Sequence, residues 1–138
     1  MIHAFVDCDV IIDLLTQRTP FFHDSSLIFQ LALEDKLQLF TSPLAISNIH
    51  YMLRKTKTES QTRHAIKQLL SIVDISEMNK STVVNALESE MKDFEDAMQS
   101  YSARPLSCDY IITRNTKDYK KSVLEAKTPS EILSLIQS

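Results

Sequence analysis

The sequence predicts an α/β fold, a three-layer α/β/α sandwich around a short parallel sheet of four or five strands. Three observations predict it. Short apolar runs alternate with stretches of helical period along the chain, the signature of strand–helix–strand units feeding a parallel sheet. The run Ile-His-Ala-Phe-Val at 2–6 stops abruptly at Asp7, as a strand buried on both faces does. No linker-like stretch or internal repeat divides the 138 residues, so a single domain, 1–138, with its own core is expected.

Each element follows in order. Val10 to Leu15 starts a helix, and Pro20 marks a turn. From Ser25 to Asp35 the apolar residues Leu27, Ile28, Leu31 and Ala32 recur at helical spacing. Leu37 to Thr41 reads as the second strand. Ser42-Pro43 reads as a helix start, with Ser as the cap and Pro in the first turn. Residues 44–55 place Leu44, Ile46, Ile49, Met52 and Leu53 on one face, and Glu59 to Leu70 is a further helix. Ser71 to Ile75 is a short strand, Asn79 to Met91 a helix, and another helix runs from near Asp93 to about Ala103. Asp109 to Thr113 is the clearest internal strand, and a short one is expected near Val123–Leu124. Pro129 opens the last helix, with Ile132, Leu133 and Ile136 facing inward.

Composition narrows the function. A net charge of −3 excludes a basic protein that coats nucleic acid indiscriminately. Glycine is absent, which excludes glycine-rich phosphate loops and GxGxxG nucleotide motifs. Two cysteines, Cys8 and Cys108, are too few for a disulfide framework and lack metal-ligand spacing. One follows a strand and the other precedes one, so on parallel neighbours the thiols sit at opposite ends of ~17 Å of strand. The four histidines (His3, His23, His50 and His64) show no paired ligand spacing. The opening residues do not resemble a signal peptide, and no apolar run approaches the ~18 residues of a membrane helix. A cytoplasmic protein without a membrane partner is expected.

In open α/β sheets, sites form beyond the carboxyl ends of the strands. Asp7 and Asp9 follow the first strand, and Asn115 and Asp118 follow the strand at 109–113. Asp93 and Asp96, three apart, share one helix face in the segment before that strand. Gathered carboxylates repel: at an effective dielectric near 20, two charges 4 Å apart cost about 4 kcal/mol. A counter-charge is therefore required, and oxygen-only ligands select hard cations such as Mg²⁺ or Mn²⁺. Such a cation activates water and neutralises a phosphodiester, so the chemistry implied is phosphodiester hydrolysis.

The motifs resemble those of a known family. Phe-Val-Asp-Cys-Asp-Val-Ile-Ile-Asp-Leu-Leu (5–15) looks like the opening of the PIN-domain family. Asp-Phe-Glu-Asp-Ala-Met-Gln-Ser-Tyr-Ser-Ala (93–103) resembles its third acidic motif. Asp-Tyr-Ile-Ile-Thr-Arg-Asn-Thr-Lys-Asp-Tyr (109–119) resembles its closing strand and turn, and Pro129-Ser-Glu-Ile-Leu its final helix. The resemblance spans nearly the whole chain. It implies a Mg²⁺- or Mn²⁺-dependent ribonuclease, often the toxin of a toxin–antitoxin pair, with RNA as substrate, an antitoxin protein as partner and a homodimer as an expected assembly. Carried over, Asp7, Asp96 and Asp118 are the catalytic carboxylates, and Asp7, Asp96, Asn115 and Asp118 the metal ligands. Asp9, Asn48, Asp93 and Thr113 stand behind them. Arg114, Lys117 and Lys120 contact RNA phosphates. The departure is Asn48, which stands where the family often has Glu. Its amide has no charge and cannot act as a base, and Asp9 or Asp93 is the expected substitute.

Simpler readings stand beside these. Asp7 suits a helix N-cap, Asp93 the positive end of a helix dipole, and Asn115 and Asp118 a turn. Asn48 suits a hydrogen-bonded core amide, and the Lys/Arg run a solvated face. A rival is a phosphatase of the haloacid-dehalogenase type, suggested by Asp7-Cys-Asp9, but Ile11 stands where that family wants Thr. A receiver domain would need an acidic pair before a central Asp, and only Asp74 is offered. A degenerate PIN-like domain that binds RNA or protein without cleaving is the remaining alternative.

Overall fold

The computed structural model describes residues 1–137. Five strands, β1 (Ile2–Val6), β2 (Leu37–Thr41), β3 (Val73–Ile75), β4 (Tyr110–Ile112) and β5 (Glu125–Lys127), form one sheet of order β3-β2-β1-β4-β5. Every pairing is parallel, with Phe5 opposite Phe40, Val6 opposite Ile112 and Ile112 opposite Lys127. Seven α-helices connect them: α1 (Cys8–Leu15), α2 (Phe22–Leu33), α3 (Pro43–Leu53), α4 (Glu59–Leu69), α5 (Lys80–Glu88), α6 (Phe94–Ala103) and α7 (Pro129–Gln137). Two 3-10 turns, Arg104–Leu106 and Thr116–Tyr119, flank β4.

The alternation of side chains along each strand divides the core between two faces. Ala4, Val6, Leu39 and Ile112 pack with Val10, Ile28, Ile49, Ile66 and Ile132, so α1–α4 and α7 cover one face. Phe5 and Ile111 pack with Ala103 and Tyr119 on the other, beside α6 and the second 3-10 turn. These are the three layers the sequence predicts. Cys8 and Cys108 are free, each beyond the opposite end of its strand in the β1–β4 pair.

Local chemistry sets the helix ends. Ser42 caps α3 from its hydroxyl, with Pro43 at the first position. Thr58 with Gln61 and Asn79 with Thr82 form reciprocal caps on α4 and α5. The sequence misplaces a few boundaries. Helix α2 begins at Phe22 rather than Ser25, with Phe21 before it and no capping side chain to announce the start. Helix α5 ends at Glu88 rather than running to Met91. Strand β5 lies two residues beyond Val123–Leu124, because Glu125-Ala126-Lys127 is an edge strand without an apolar run.

Strand order reverses between β1 and β4, the pair that leaves a crevice at its carboxyl end. Asp7 and Thr113 stand on that rim, one residue past each strand.

Candidate active site

Asp7 caps α1: its backbone is extended and Oδ1 accepts from the Cys8 N–H at 2.8 Å. The capping and site readings are thus both realised by one residue. Its side chain is 8 % exposed, and every other bond it receives comes from a neutral group. Tyr119 donates its phenol to Oδ2 at 3.0 Å, Thr113 its hydroxyl to the same oxygen at 3.1 Å, and Gln99 Nε2 reaches Oδ1 at 3.3 Å. Burial raises the Asp7 carboxyl above the usual carboxylate range against the pull of these donors.

Asp96 lies in the first turn of α6 and faces Asp7 across the Tyr119 hydroxyl, its Oδ1 3.2 Å away. One phenol proton serves two carboxylates. Burial first, then the charges of Asp7 and Asp93, push Asp96 up to about 7, while the Tyr119 contact opposes the shift. Burial and the same two carboxylates push the phenol far upward, so Tyr119 remains a donor.

Asp9 turns Oδ2 toward the Arg114 N–H at 3.1 Å, Asn115 Nδ2 at 3.3 Å and the Thr113 hydroxyl at 3.3 Å. Its Oδ1 is buried with no hydrogen-bond partner. Burial, then the charge of Asp7, push Asp9 up to about 6. Thr113 orients both Asp7 and Asp9 and accepts from the Asn115 N–H at 3.1 Å.

The remaining expected residues divide. The Asn115 side chain sits against Asp9, while its carbonyl accepts the Asp118 N–H at 3.0 Å. Asp118 is exposed on the 3-10 turn after β4; its charge is felt at Asp96, but its carboxylate receives no hydrogen bond among the described residues. Asp93 does not share a helix face with Asp96: it is the N-cap of α6 and accepts the Asp96 N–H at 2.9 Å. Asn48 is partly buried and donates to Glu95 Oε1 at 3.4 Å. Lys117 and Lys120 are exposed and line a cavity of about 550 Å³ with Asp93 and Asp118. Arg114 departs from its expected role as a free phosphate contact. Its Nε lies 2.7 Å from Asp13, which is fully buried, and its guanidinium stacks 4.0 Å from the Phe21 ring centre.

Several residues escape the sequence reading. Tyr119 joins Asp7 to Asp96. Gln99 bridges Asp7 to Ser42, whose hydroxyl donates to Gln99 Oε1 at 3.0 Å while capping α3. Gln99 stands three residues after Asp96, and that spacing places it on the same helix face. Glu95 adds a fourth carboxylate near the cluster: with Asp7, Asp9 and Asp96 it adds to the burial that pushes the Cys8 thiol up to about 12.

The donor set suits a hard cation. It is all oxygen, its carboxylates are held above their ordinary pKa values, and one buried carboxylate oxygen lacks a partner. Among the described residues, no three His, Cys, Asp or Glu side chains group tightly enough to hold an ion alone. Mg²⁺ does not need such a cage, since one or two carboxylates with waters and substrate phosphates suffice. Asp7 and Asp96, joined through the Tyr119 hydroxyl, could supply such a pair.

Comparison with known proteins identifies the fold and the family. The chain is 29 % identical over 133 residues to Ribonuclease VapC1 of Aquifex aeolicus, covering 93 % of this chain and 91 % of that one. A toxin–antitoxin complex from Klebsiella pneumoniae contains a chain of the same fold, with TM-score 0.68 and 25 % identity over 91 % of this chain and 97 % of that one. VapBC2 from Rickettsia felis, bound to a promoter DNA fragment, matches at TM-score 0.68 and 14 % identity, covering 92 % and 98 %. The PIN domain profile matches residues 3–117. From Asp7 at the first strand through the turn after β4, this chain belongs to the PIN-domain family.

Proposed function

We propose that this protein is an endoribonuclease that hydrolyses phosphodiester bonds in RNA with Mg²⁺ or Mn²⁺, and that it is the toxin of a toxin–antitoxin pair. One observation carries the reading: Asp7 and Asp96 converge on the single neutral hydroxyl of Tyr119 at the crevice between β1 and β4. The similarity to a protein named a ribonuclease supports the substrate class, and the toxin–antitoxin complexes among the neighbours support the partner.

Asp7 and Asp96 would hold the ion, with the charge of Asp118 felt at Asp96 from the turn after β4. A bound ion supplies a water of lowered pKa and charge neutralisation at the phosphodiester. The protein's own groups do the positioning. Thr113 and Gln99 fix the Asp7 carboxylate from two sides, and Tyr119 sets its distance from Asp96. Asn115 and the Arg114 N–H hold Asp9 behind them. Lys117 and Lys120 meet substrate phosphates. Exposed apolar side chains on α3 and α5, among them Tyr51 and Leu87, offer area for an antitoxin or a second copy. No helix of the described residues is long and apolar enough to cross a membrane, and a cytoplasmic location accords with the RNA substrate.

Asn48 favours a second reading, a PIN domain that binds without cleaving. The test is cleavage of a structured RNA pool with Mn²⁺ or Mg²⁺ against EDTA. Cleavage that needs metal and drops at least ~100-fold in Asp7→Asn and Asp96→Asn is the expected result. Absence of both cleavage and metal binding overturns it in favour of the binding module.

A further inference from the structure

Beside the acidic site, on the far side of Arg114, lies a second cavity of about 480 Å³ between the start of α2, the turn after β4 and the start of α7. Its volume falls in the ~300–1,000 Å³ range of small-molecule sites. The floor is rigid: Arg114 is clamped by two bonds to buried Asp13, at 2.7 and 3.3 Å, and stacks on Phe21. Such planar surfaces, an aromatic ring and a fixed guanidinium, are what an unstacked nucleobase lies against.

Part of the polar wall is already used: Asp13 binds Arg114, the Asn115 amide holds Asp9, and the Thr128 hydroxyl accepts from the Glu131 N–H. Ser25 is 1 % exposed, and its buried hydroxyl has no hydrogen-bond partner although the residue lines the cavity. Its Oγ has almost no accessible surface, so it lies behind the wall and not within reach of a ligand in the open cavity. Asp24, also on the wall, makes no side-chain hydrogen bond or ion pair among the described residues. Its place in the first turn of α2 suits the helix dipole, but that role does not require it to face a cavity. Asn115 lines the same space while its amide holds Asp9, which joins this cavity to the acidic site.

We propose that this cavity is a nucleobase pocket selective for guanine, which seats a base of the RNA next to the acidic site. The ligand class rests on the ribonuclease reading; the selectivity rests on Asp24. An ionised carboxylate only accepts, so it pairs with an edge presenting two adjacent N–H donors. Guanine offers N1–H beside N2–H₂. Adenine and cytosine set a ring-nitrogen acceptor beside their amino group, and uracil flanks its one N–H with two carbonyls.

The test is titration of the full protein with guanosine 5′-monophosphate and adenosine 5′-monophosphate, read by ¹H–¹⁵N spectra. Both probes carry the same phosphate, so a difference reports the base. The expected result is at least about tenfold tighter binding of the guanine nucleotide, equivalent to ~1.4 kcal/mol. The shifted amides should fall at 21–25 and 114–115. Asp24→Asn should remove the preference. Equal affinities, a preference that survives Asp24→Asn, or no binding at about 10 mM, well above the ~1 mM of a 4 kcal/mol interaction, overturns the proposal. Metal-dependent RNA cleavage is measured in parallel. Cleavage without guanine preference overturns the pocket alone, and guanine preference with neither cleavage nor metal binding overturns the ribonuclease reading alone.

Discussion

Asp7 and Asp13 stand at opposite ends of α1, 8 % and 0 % exposed, and the chain treats them in opposite ways. Asp13 has a cation of its own, with Arg114 held at 2.7 Å and braced on Phe21. Asp7 has four neutral donors and two carboxylate neighbours. A buried carboxylate with its own arginine is complete, whereas one surrounded by neutral donors and other carboxylates awaits a cation. The first is a closed ion pair that serves folding, whereas the second is a carboxylate whose ionisation the fold disfavours.

The sharpest way to break this comparison is to remove each carboxylate in turn. Asp13→Ala leaves the Arg114 guanidinium, 24 % exposed, without its partner, and a loss of about 3–5 kcal/mol is expected in urea unfolding. Asp7→Asn removes a charge that nothing compensates, so the metal-free protein should keep or gain stability while RNA cleavage falls at least ~100-fold. If Asp7→Asn destabilises as much as Asp13→Ala, the two sites do not differ in kind.

Tyr119→Phe tests the link between the two site carboxylates. The phenol touches Asp7 at 3.0 Å and Asp96 at 3.2 Å, and it is 3 % exposed. The variant keeps the packing and loses the hydroxyl. A fall of about tenfold in Mn²⁺ affinity is expected by calorimetry, the lower end of what groups behind metal ligands contribute. Unchanged affinity would place the hydroxyl outside the ion's reach.

These contrasts also mark what the sequence makes legible. Asp7 and the 109–113 strand are readable because a buried parallel strand is a continuous apolar run whose polar terminus is conspicuous. Asp9 reads with them, since it sits two residues on. The Tyr119 bridge is not readable, because it joins residues 23 and 112 positions apart through tertiary packing. The same holds for the Asn48–Glu95 contact, which joins residues 47 positions apart. Asp93 had a local signal: an aspartate just ahead of a helix with acidic residues in its first turn is a capping pattern, and the structure uses it so. The fate of Arg114 had none, because Asp13 reads as one more residue of an apolar helix.

The smallest effect concerns pH in the absence of metal. Asp7, Asp9 and Asp96 all bind protons more tightly in the folded state than in the unfolded chain, with Asp9 at about 6 and Asp96 at about 7. Where the folded state holds more protons, stability falls as pH rises. The cost is absent below the ordinary carboxylate value near 3.8, grows through the interval from there to about 7, and is complete above it. The neighbouring charges share this sense: Asp93 and Asp118 disfavour ionised Asp96, while Arg114 opposes the shift at Asp9. Asp96 is only partly buried and solvent screens much of its interaction, so the expected difference is about 1 kcal/mol, or roughly 3–5 °C, between pH 5.5 and pH 8 in EDTA. Millimolar Mg²⁺ should narrow the gap, since an ion on the carboxylates takes the place of the protons. Asp7→Asn should narrow it without metal, because it removes one carboxylate and relieves its charge on the other two. Melting curves at the two pH values, with and without Mg²⁺, measure all three terms. A protein that melts higher at pH 8 than at pH 5.5 in EDTA would mean that the acidic cluster is already neutralised from within, and Asp7 would then resemble Asp13 after all.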